Sequence, residues 1–535
     1  MMKKKTVMSK LTPLGVVLCL LASMAIFGCA TPSPTPSTEP APTPPAQTGP
    51  QYGGILKVSD IFDAGASLGY PPKLLRVYSM RQSSPVIESL FRIDETGKVV
   101  PWLATGYTSD VAAKTLTLIL REGVKFHDGT DFNAEAVKWN LEQHINAKRA
   151  DAAKFTSIDV LDNYTVRINL SEWDNTIISN MTQALGMIIS PTACEKNGIE
   201  WAESNPIGTG PFEFVSWEKD VRTVFKKFDG YWQKGKPYLD GIEYIPIPDT
   251  LTRQLSLRGN EIHLALTLDA KDLTGLEKDG FPVTRINVGS GAVSAIPDSA
   301  NPNSPWADVK VRQAAQHAID SELIVQSILF GEAEPANQWI YKRHWGYNPN
   351  VKGYPYNPEK AKQLLADAGY PNGFKTKILY RTNPRDDKIF TAVQGFLKDV
   401  GIDAELEPTT TGRYDEVAFQ GDSWEGLIMN AVSPNPDLPA ALALRYSGGG
   451  KFFTQMLVPD DYVQAIQNAI TAPDFETKQK YTQEAMKLMI DKYALQVVIY
   501  CMFDYAVSQP YLHNHGYFDT PNTTAWTPEE AWLEK

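Results

Sequence analysis

Gly65-Ala66-Ser67-Leu68-Gly69 has the G-x-S-x-G spacing of a hydrolase nucleophile elbow. That spacing serves acyl transfer only where a strand delivers the serine and a helix leaves it. Here Tyr70, Pro71 and Pro72 follow, and Pro72 denies Pro71 a helical conformation, so a glycine-rich loop is expected. His513-Asn514-His515 is a second candidate, because on a strand residues i and i+2 share a face and both imidazoles could reach one ion. No cysteine or run of carboxylates stands near to complete a ligand set, and a solvated loop before Gly516 is the plainer reading. Gly208-Thr209-Gly210-Pro211-Phe212 lacks the spacing and the lysine of a phosphate loop and reads as a turn before the strand FEFVSW. H-E-x-x-H and C-x-x-C do not occur. The 62 acidic residues leave a carboxylate-pair glycosidase open by count alone, since that chemistry needs two carboxyls flanking one sugar bond. This inventory calls for no metal and no cofactor.

The aromatic residues carry more signal. Twelve tryptophans and 23 tyrosines suit a large ligand cleft, because rings give contact area at little entropic cost. Trp339, Trp345 and Trp424 lie in irregular or glycine-flanked segments, while most of the twelve read as ordinary core.

A chain of 535 residues, 43% apolar and 21% charged, exceeds one packing unit and can bury its cores without metals or disulfides. A net charge of −11 argues against nucleic acid, whose phosphates demand a basic face. Lys3, Lys4, Lys5 and Lys10 precede an apolar run from Leu11 to Phe27, the plan of a secretory signal and short for a membrane span. Ile26-Phe27-Gly28-Cys29 resembles a bacterial lipobox, in which the cysteine is lipidated, although Phe27 stands where a small residue is usual. The expectation is a signal over 1–28 and a lipid anchor at Cys29, with an uncleaved single-span anchor as the alternative. Residues 31–50 hold eight prolines and no large apolar side chain, so 29–50 is a linker. At about 3.1 Å per residue it could reach roughly 60 Å from a membrane. Cys194 and Cys501 could pair in an oxidising compartment, but two cysteines far apart in sequence argue weakly for it.

The elements that would position a site are legible. GGILKVSD opens an alternating strand, and TLTLILR (115–121) is a half-buried one. Residues 86–104 read as a helix, a turn at Glu95-Thr96-Gly97 and a short strand. Asn133 should cap a helix over AEAVKWNLEQHI. Helices are expected from near Asp308, from Ser321 to Gly331, and after the cap Asn357 with Gly369 beyond its end. Strands at 375–381 and 403–409 flank a helical stretch as a β-α-β unit, and YALQVVIYCMF reads as a buried central strand. The class is α/β with mixed sheets.

Several stretches in this order resemble the bacterial extracellular solute-binding proteins of family 5, the dipeptide, oligopeptide and nickel receptors of ABC importers. REGVKFHDGTDFNAEAVKWNLE (121–142) is similar to a signature of that family, and so are ESLFRIDETGKVVPWLATGY (88–107), NPIGTGPFEF (205–214), FKKFDGYWQKGKPYLDGIEY (225–244), the stretch 307–336 and YNPEKAKQLLADAGYPNGF (356–374). The likeness runs from about residue 52 to about 520. It implies a two-lobe periplasmic-binding-protein fold of type II with a hinge. Lobe I would hold 51–290 and 503–535, with a subdomain inserted near 87–205, and lobe II 291–502. The solute would be enclosed between them by hinge closure, and a monomeric closed form would dock on a membrane permease with its ATPase. The protein would then be an extracytoplasmic, lipid-anchored receptor in the periplasm or at the cell surface, without chemistry of its own.

The resemblance also marks a departure. Peptide-binding members carry an Ala-Asp-Tyr-Pro-Asp-Pro type segment whose aspartate pairs with the peptide α-ammonium. The matching residues here are Ala431-Val432-Ser433-Pro434-Asn435-Pro436-Asp437, so Val432 takes the place of that aspartate and Asn435 that of the second acid. A buried ammonium without a counter-charge costs several kcal/mol. The expectation is that a free peptide N-terminus is not held in the usual way, with Asp437 as the acid left to compensate. Solute contacts are expected from Tyr70 after the first strand, from Met429, Asn430, Val432 and Asn435, and from Trp339 and Trp424 as walls. A metal-chelate receptor of the nickel type and, from another class, a secreted hydrolase using His513, His515 or a carboxylate pair are the competing readings.

Overall fold

The computed structural model describes residues 49–65, 67–287, 292–431, 437–517, 525–526 and 528–535. The signal over 1–28, Cys29, nearly all of the 29–50 linker, Val432 and Asn435 lie outside the described residues. Among the described residues no helix is long and apolar enough to cross a membrane.

A twelve-stranded mixed sheet organises the chain. Its spine is the strand Val497–Ser508, the apolar run singled out above without its first four residues and extended by five at its end. The first half of that strand pairs antiparallel with Val293–Pro297 and Ala333–Pro335, and the second half with Val283–Asn287 and Leu264–Leu266. The change of partners falls between Met502, opposite Ala333, and Phe503, opposite Asn287. Outward from the first half run Leu427–Asn430, Phe374–Arg381 and Ile402–Thr409, and outward from the second run Ile55–Asp60, Gly241–Pro246, Arg222–Lys227 and Phe212–Glu218. Two separate apolar cores follow this division. One gathers residues from Ala292 to Cys501, the other gathers the first strand, Tyr244 and the C-terminal Tyr517 and Trp526. Cys501 is buried in the first core and Cys194 in the second, both as free thiols. Burial pushes the Cys194 thiol up to about 12, which keeps it protonated and unreactive.

The β-α-β unit has the expected form. Phe374–Arg381 and Ile402–Thr409 run parallel, joined by the helix Pro384–Asp399, whose start is capped by the Asn383 side chain. Helices Val309–Ala318, Ser321–Ile328 and Pro358–Asp367 begin at the caps Asp308, Asp320 and Asn357. The β-branched apolar run forms a central strand because it has sheet partners on both sides and on both faces.

A four-stranded antiparallel sheet of Ala104–Asp110, Thr115–Leu120, Thr165–Leu170 and Phe155–Asp162 carries the helix Ala134–Asn146 and its own core. The Asn133 side chain accepts from the Ala136 amide at 3.0 Å, as expected. Asn133→Ala should cost about 1 kcal/mol in urea unfolding, and Asn133→Asp should restore most of it.

The helix expected after residue 86 does not form. The helix is earlier, at Val77–Ser83, and Pro85 follows it. The backbone of 85–90 is instead engaged over long range: Pro85 and Val86 carbonyls accept from the Phe212 and Gly210 amides, and Glu88 O accepts from Ile188 N. The glycine turn at 208–210 makes this approach possible, since a Cβ on Gly208 would sit 2.1 Å from Val86 O. Glu88 is thereby buried, where it accepts from Trp102 Nε1, Thr209 Oγ1, Tyr231 OH and Trp232 Nε1.

Candidate functional site

The spine strand is buried over its first five residues and its last three, but Met502, Phe503, Asp504 and Tyr505 are half-buried. Solvent reaches the strand only where it changes sheet partners. This opening in a central strand flanked on both sides makes the stretch the candidate floor of a cleft between the two halves.

On one wall, Asp60 ends the first strand. It accepts from Arg81 Nη1 at 2.9 Å, Tyr244 OH at 3.2 Å, Thr267 Oγ1 at 2.9 Å and the Ile61 amide at 2.7 Å. Arg81 and Asp60 form a buried ion pair. Asp504 stands close enough to feel both. Burial raises its carboxyl above the usual carboxylate range, Arg81 opposes that and Asp60 adds to it. Tyr70 lies on the same half, buried, with its hydroxyl donating to Gln143 Oε1 at 3.3 Å. On the other wall, Arg385 at the start of its helix reaches the floor: Nη1 stands 3.0 Å from Met502 Sδ, and Nε donates to Asp386 Oδ1 at 2.9 Å.

The expected lobe II residues gather in one place behind this wall. Asn430 Nδ2 donates to Ser294 Oγ at 3.0 Å, and Tyr446 OH donates to Asn430 Oδ1 at 3.1 Å. Met429 O accepts from Tyr414 OH at 2.7 Å. Trp339 packs edge-on against Tyr446, which stacks on Phe453, which meets Trp424. All four expected side chains are buried, Asn430 completely. Asp437 is buried as well. It caps the helix Leu438–Tyr446 through the Ala440 amide, accepts from Ser179 Oγ at 2.8 Å and pairs with Lys478.

The Ser179 contact belongs to a seam joining the four-stranded subdomain to the helices Leu438–Tyr446 and Asp460–Ile470. Asn175 Nδ2 donates to Ala469 O and Ala472 O, its amide donates to Ile470 O, and Trp173 Nε1 donates to Ala472 O. The carbonyls that end the helix Asp460–Ile470 thus find donors from another subdomain. A cavity of about 230 Å³ lies along the seam, lined by Lys98, Tyr107, Trp173, Trp345 and Phe475.

The other chemical candidates do not converge. Ser67 Oγ donates to Glu203 O within a loop. His513 Nε2 lies 3.1 Å from Glu534 and its ring stacks on Trp532, whereas His515 Nε2 lies 3.1 Å from Thr284 Oγ1. Among the described residues no three His, Cys, Asp or Glu side chains are placed to hold a metal ion.

Asp60, Arg81, Arg385 and Asp504 were not among the expected contacts. For Asp504 a signal was available: an acid directly after a continuous apolar run, in a strand too buried to tolerate one without a purpose. Arg81 and Arg385 gave none, because each reaches the cleft only through tertiary packing.

Comparison with known proteins gives one consistent result. Residues 98–453 match the model of bacterial extracellular solute-binding proteins, family 5. The glutathione-binding protein GsiB of Shigella flexneri is 35% identical over 353 residues, covering 64% of this chain and 67% of that protein. Among solved structures, the DppA periplasmic binding protein of Helicobacter pylori in complex with the peptide STSA is 24% identical, with TM-score 0.69, 91% of this chain and 99% of that chain covered. The CtaP substrate-binding protein of Listeria monocytogenes is 20% identical, with TM-score 0.80 and coverages of 91% and 100%. NikA of Brucella suis with Fe(III)-EDTA is 22% identical, with TM-score 0.75 and coverages of 89% and 100%. At these identities the structural likenesses establish the fold, a two-lobe α/β binding-protein architecture.

Proposed function

Because the chain belongs to the bacterial extracellular solute-binding proteins of family 5, we propose that it captures a peptide-like small solute between two lobes and delivers it to an ABC permease. Lobe I is 51–290 with 503–535 and lobe II 291–502, a division that follows the change of partners along the spine strand. The anchor is Cys29 with its stalk, and the receptor acts as a monomer without turning its solute over. The observation that carries the reading is the four-residue window Met502–Tyr505 in an otherwise buried central strand. Lobe closure encloses that window, and the solute is bound there. Tyr70 forms one of its sides. Met429, Asn430, Trp339 and Trp424 are buried together behind the opposite wall, and Asp437 caps the helix Leu438–Tyr446.

The relatives named as glutathione-binding direct attention to γ-glutamyl solutes. In these the ammonium sits beside a free carboxylate rather than at an ordinary peptide N-terminus, which agrees with Val432 in place of an acid. The test is thermal unfolding with glutathione, Ala-Ala and a nickel–histidine chelate, together with mass spectrometry of any solute released on unfolding the natively purified protein. A true ligand at 100 times its dissociation constant adds about 2.7 kcal/mol of stability, and glutathione is expected to do so. A released metal chelate would move the protein to the nickel type. Consumption of any ligand would replace the receptor reading by an enzyme.

A further inference from the structure

Asp504 is the one acid on the floor of the cleft, and its situation is unusual. Among the described residues its carboxylate accepts no hydrogen bond and has no cation within 4 Å, whereas its neighbour Asp60 has four donors. The titratable groups that act on it or feel it are Asp60, Arg81 and Tyr505. Arg81 is the only cation of that group, and it is already paired with Asp60. The cluster therefore carries one uncompensated negative charge, that of Asp504, in the part of the strand that solvent reaches. On the facing wall Arg385 is directed to Met502 and Asp386 rather than to Asp504. A half-buried carboxylate without a partner is costly, and the cost is removed when a cation from outside pairs with it.

We infer that Asp504 is the counter-charge for a primary ammonium group of the solute, which is held on the lobe I floor of the cleft rather than by the lobe II loop around Val432. This rests on the receptor reading above and names a chemical class within it: γ-glutamyl compounds, amino acids or diamines rather than neutral or purely anionic solutes. Uncompensated in the open cleft and paired on closure, Asp504 also supplies the differential affinity by which a solute drives the lobes together.

The test compares glutathione, ornithine and putrescine with their N-acetylated forms, by calorimetry on the wild-type protein and on Asp504→Asn. Binding of at least one free amine is expected, with affinity about 100-fold weaker for its acetylated form and about 100-fold weaker for Asp504→Asn, where acetylation no longer matters. Asn is isosteric and removes a charge that has no partner, so the variant should melt no lower than the wild type. The discrimination by the wild type stands in any case without a variant. Equal binding of free and acetylated probes by the wild type overturns the inference, and so does discrimination that survives in Asp504→Asn. Failure of every free amine to bind overturns it too. In that last case a solute without an amine, released from the natively purified protein, would still uphold the receptor reading, whereas a protein that neither releases nor binds any solute would fail both.

Discussion

Acidification from pH 7 to 5 should lower the melting midpoint of this protein, through its histidines. Among the seven, His144, His344 and His515 are buried and His127 is half-buried, none with a carboxylate within ion-pairing distance among the described residues, and desolvation depresses each: His344 to about 3 and the others to about 4. An unfolded histidine titrates near 6.5, so between these values the unfolded chain binds more protons than the folded one. Stability from these groups is fully present above pH 6.5 and is lost as pH falls toward 4. At most the loss approaches about 5 kcal/mol per pH unit for four such groups. Glu88, Asp298 and Asp504 work in the opposite sense, because burial raises their carboxyls and the folded state then takes up protons the unfolded one does not. The net slope is therefore shallower, and its sign is set by the histidines. His344→Gln should flatten it by about 1.4 kcal/mol per pH unit, since that ring is sealed between Tyr341 and Trp345. Melting curves at several pH values on both proteins decide the matter, and a midpoint unchanged between pH 7 and 5 would refute this account.

Lys478→Met should cost about 3–5 kcal/mol in urea unfolding. Lys478 and Asp437 are paired with side chains 7% and 0% exposed, and removal of the ammonium leaves a carboxylate in an apolar surround. Ser179 Oγ and the Ala440 amide still donate to it, but neutral donors do not replace an ammonium. The double variant Lys478→Met with Asp437→Asn should recover most of the loss, because Asn still caps the helix Leu438–Tyr446 and no charge stays buried. A single variant within 1 kcal/mol of wild type, or a double variant no better than the single, would show that Asp437 is not held as a buried charge by Lys478.

Much of the fold was legible because its signals are local. Helix caps such as Asn133, Asp308 and Asn357 act on amides two or three residues away, so their placement needed no tertiary knowledge. The β-α-β unit and the central strand were equally readable from period and apolar content. The segment after residue 86 misled for the opposite reason. Its backbone partners lie at 186–188 and 210–212, and no local rule weighs hydrogen bonds formed across about a hundred residues or more.

The site divides along the same line. The sequence by itself determined the family and the apolar run that becomes the central strand, because each is a matter of which residues stand in a recognisable order. It could not tell that Asn430, Met429, Trp339 and Trp424 are buried together behind the wall, since burial depends on neighbours that are distant in sequence. Nor could it distinguish Asp504 from the other acids. Only the tertiary structure brought Arg81 to Asp60, left Asp504 without a cation, and opened the strand to solvent at that residue, because charge compensation is a property of what surrounds a side chain and not of the side chain itself.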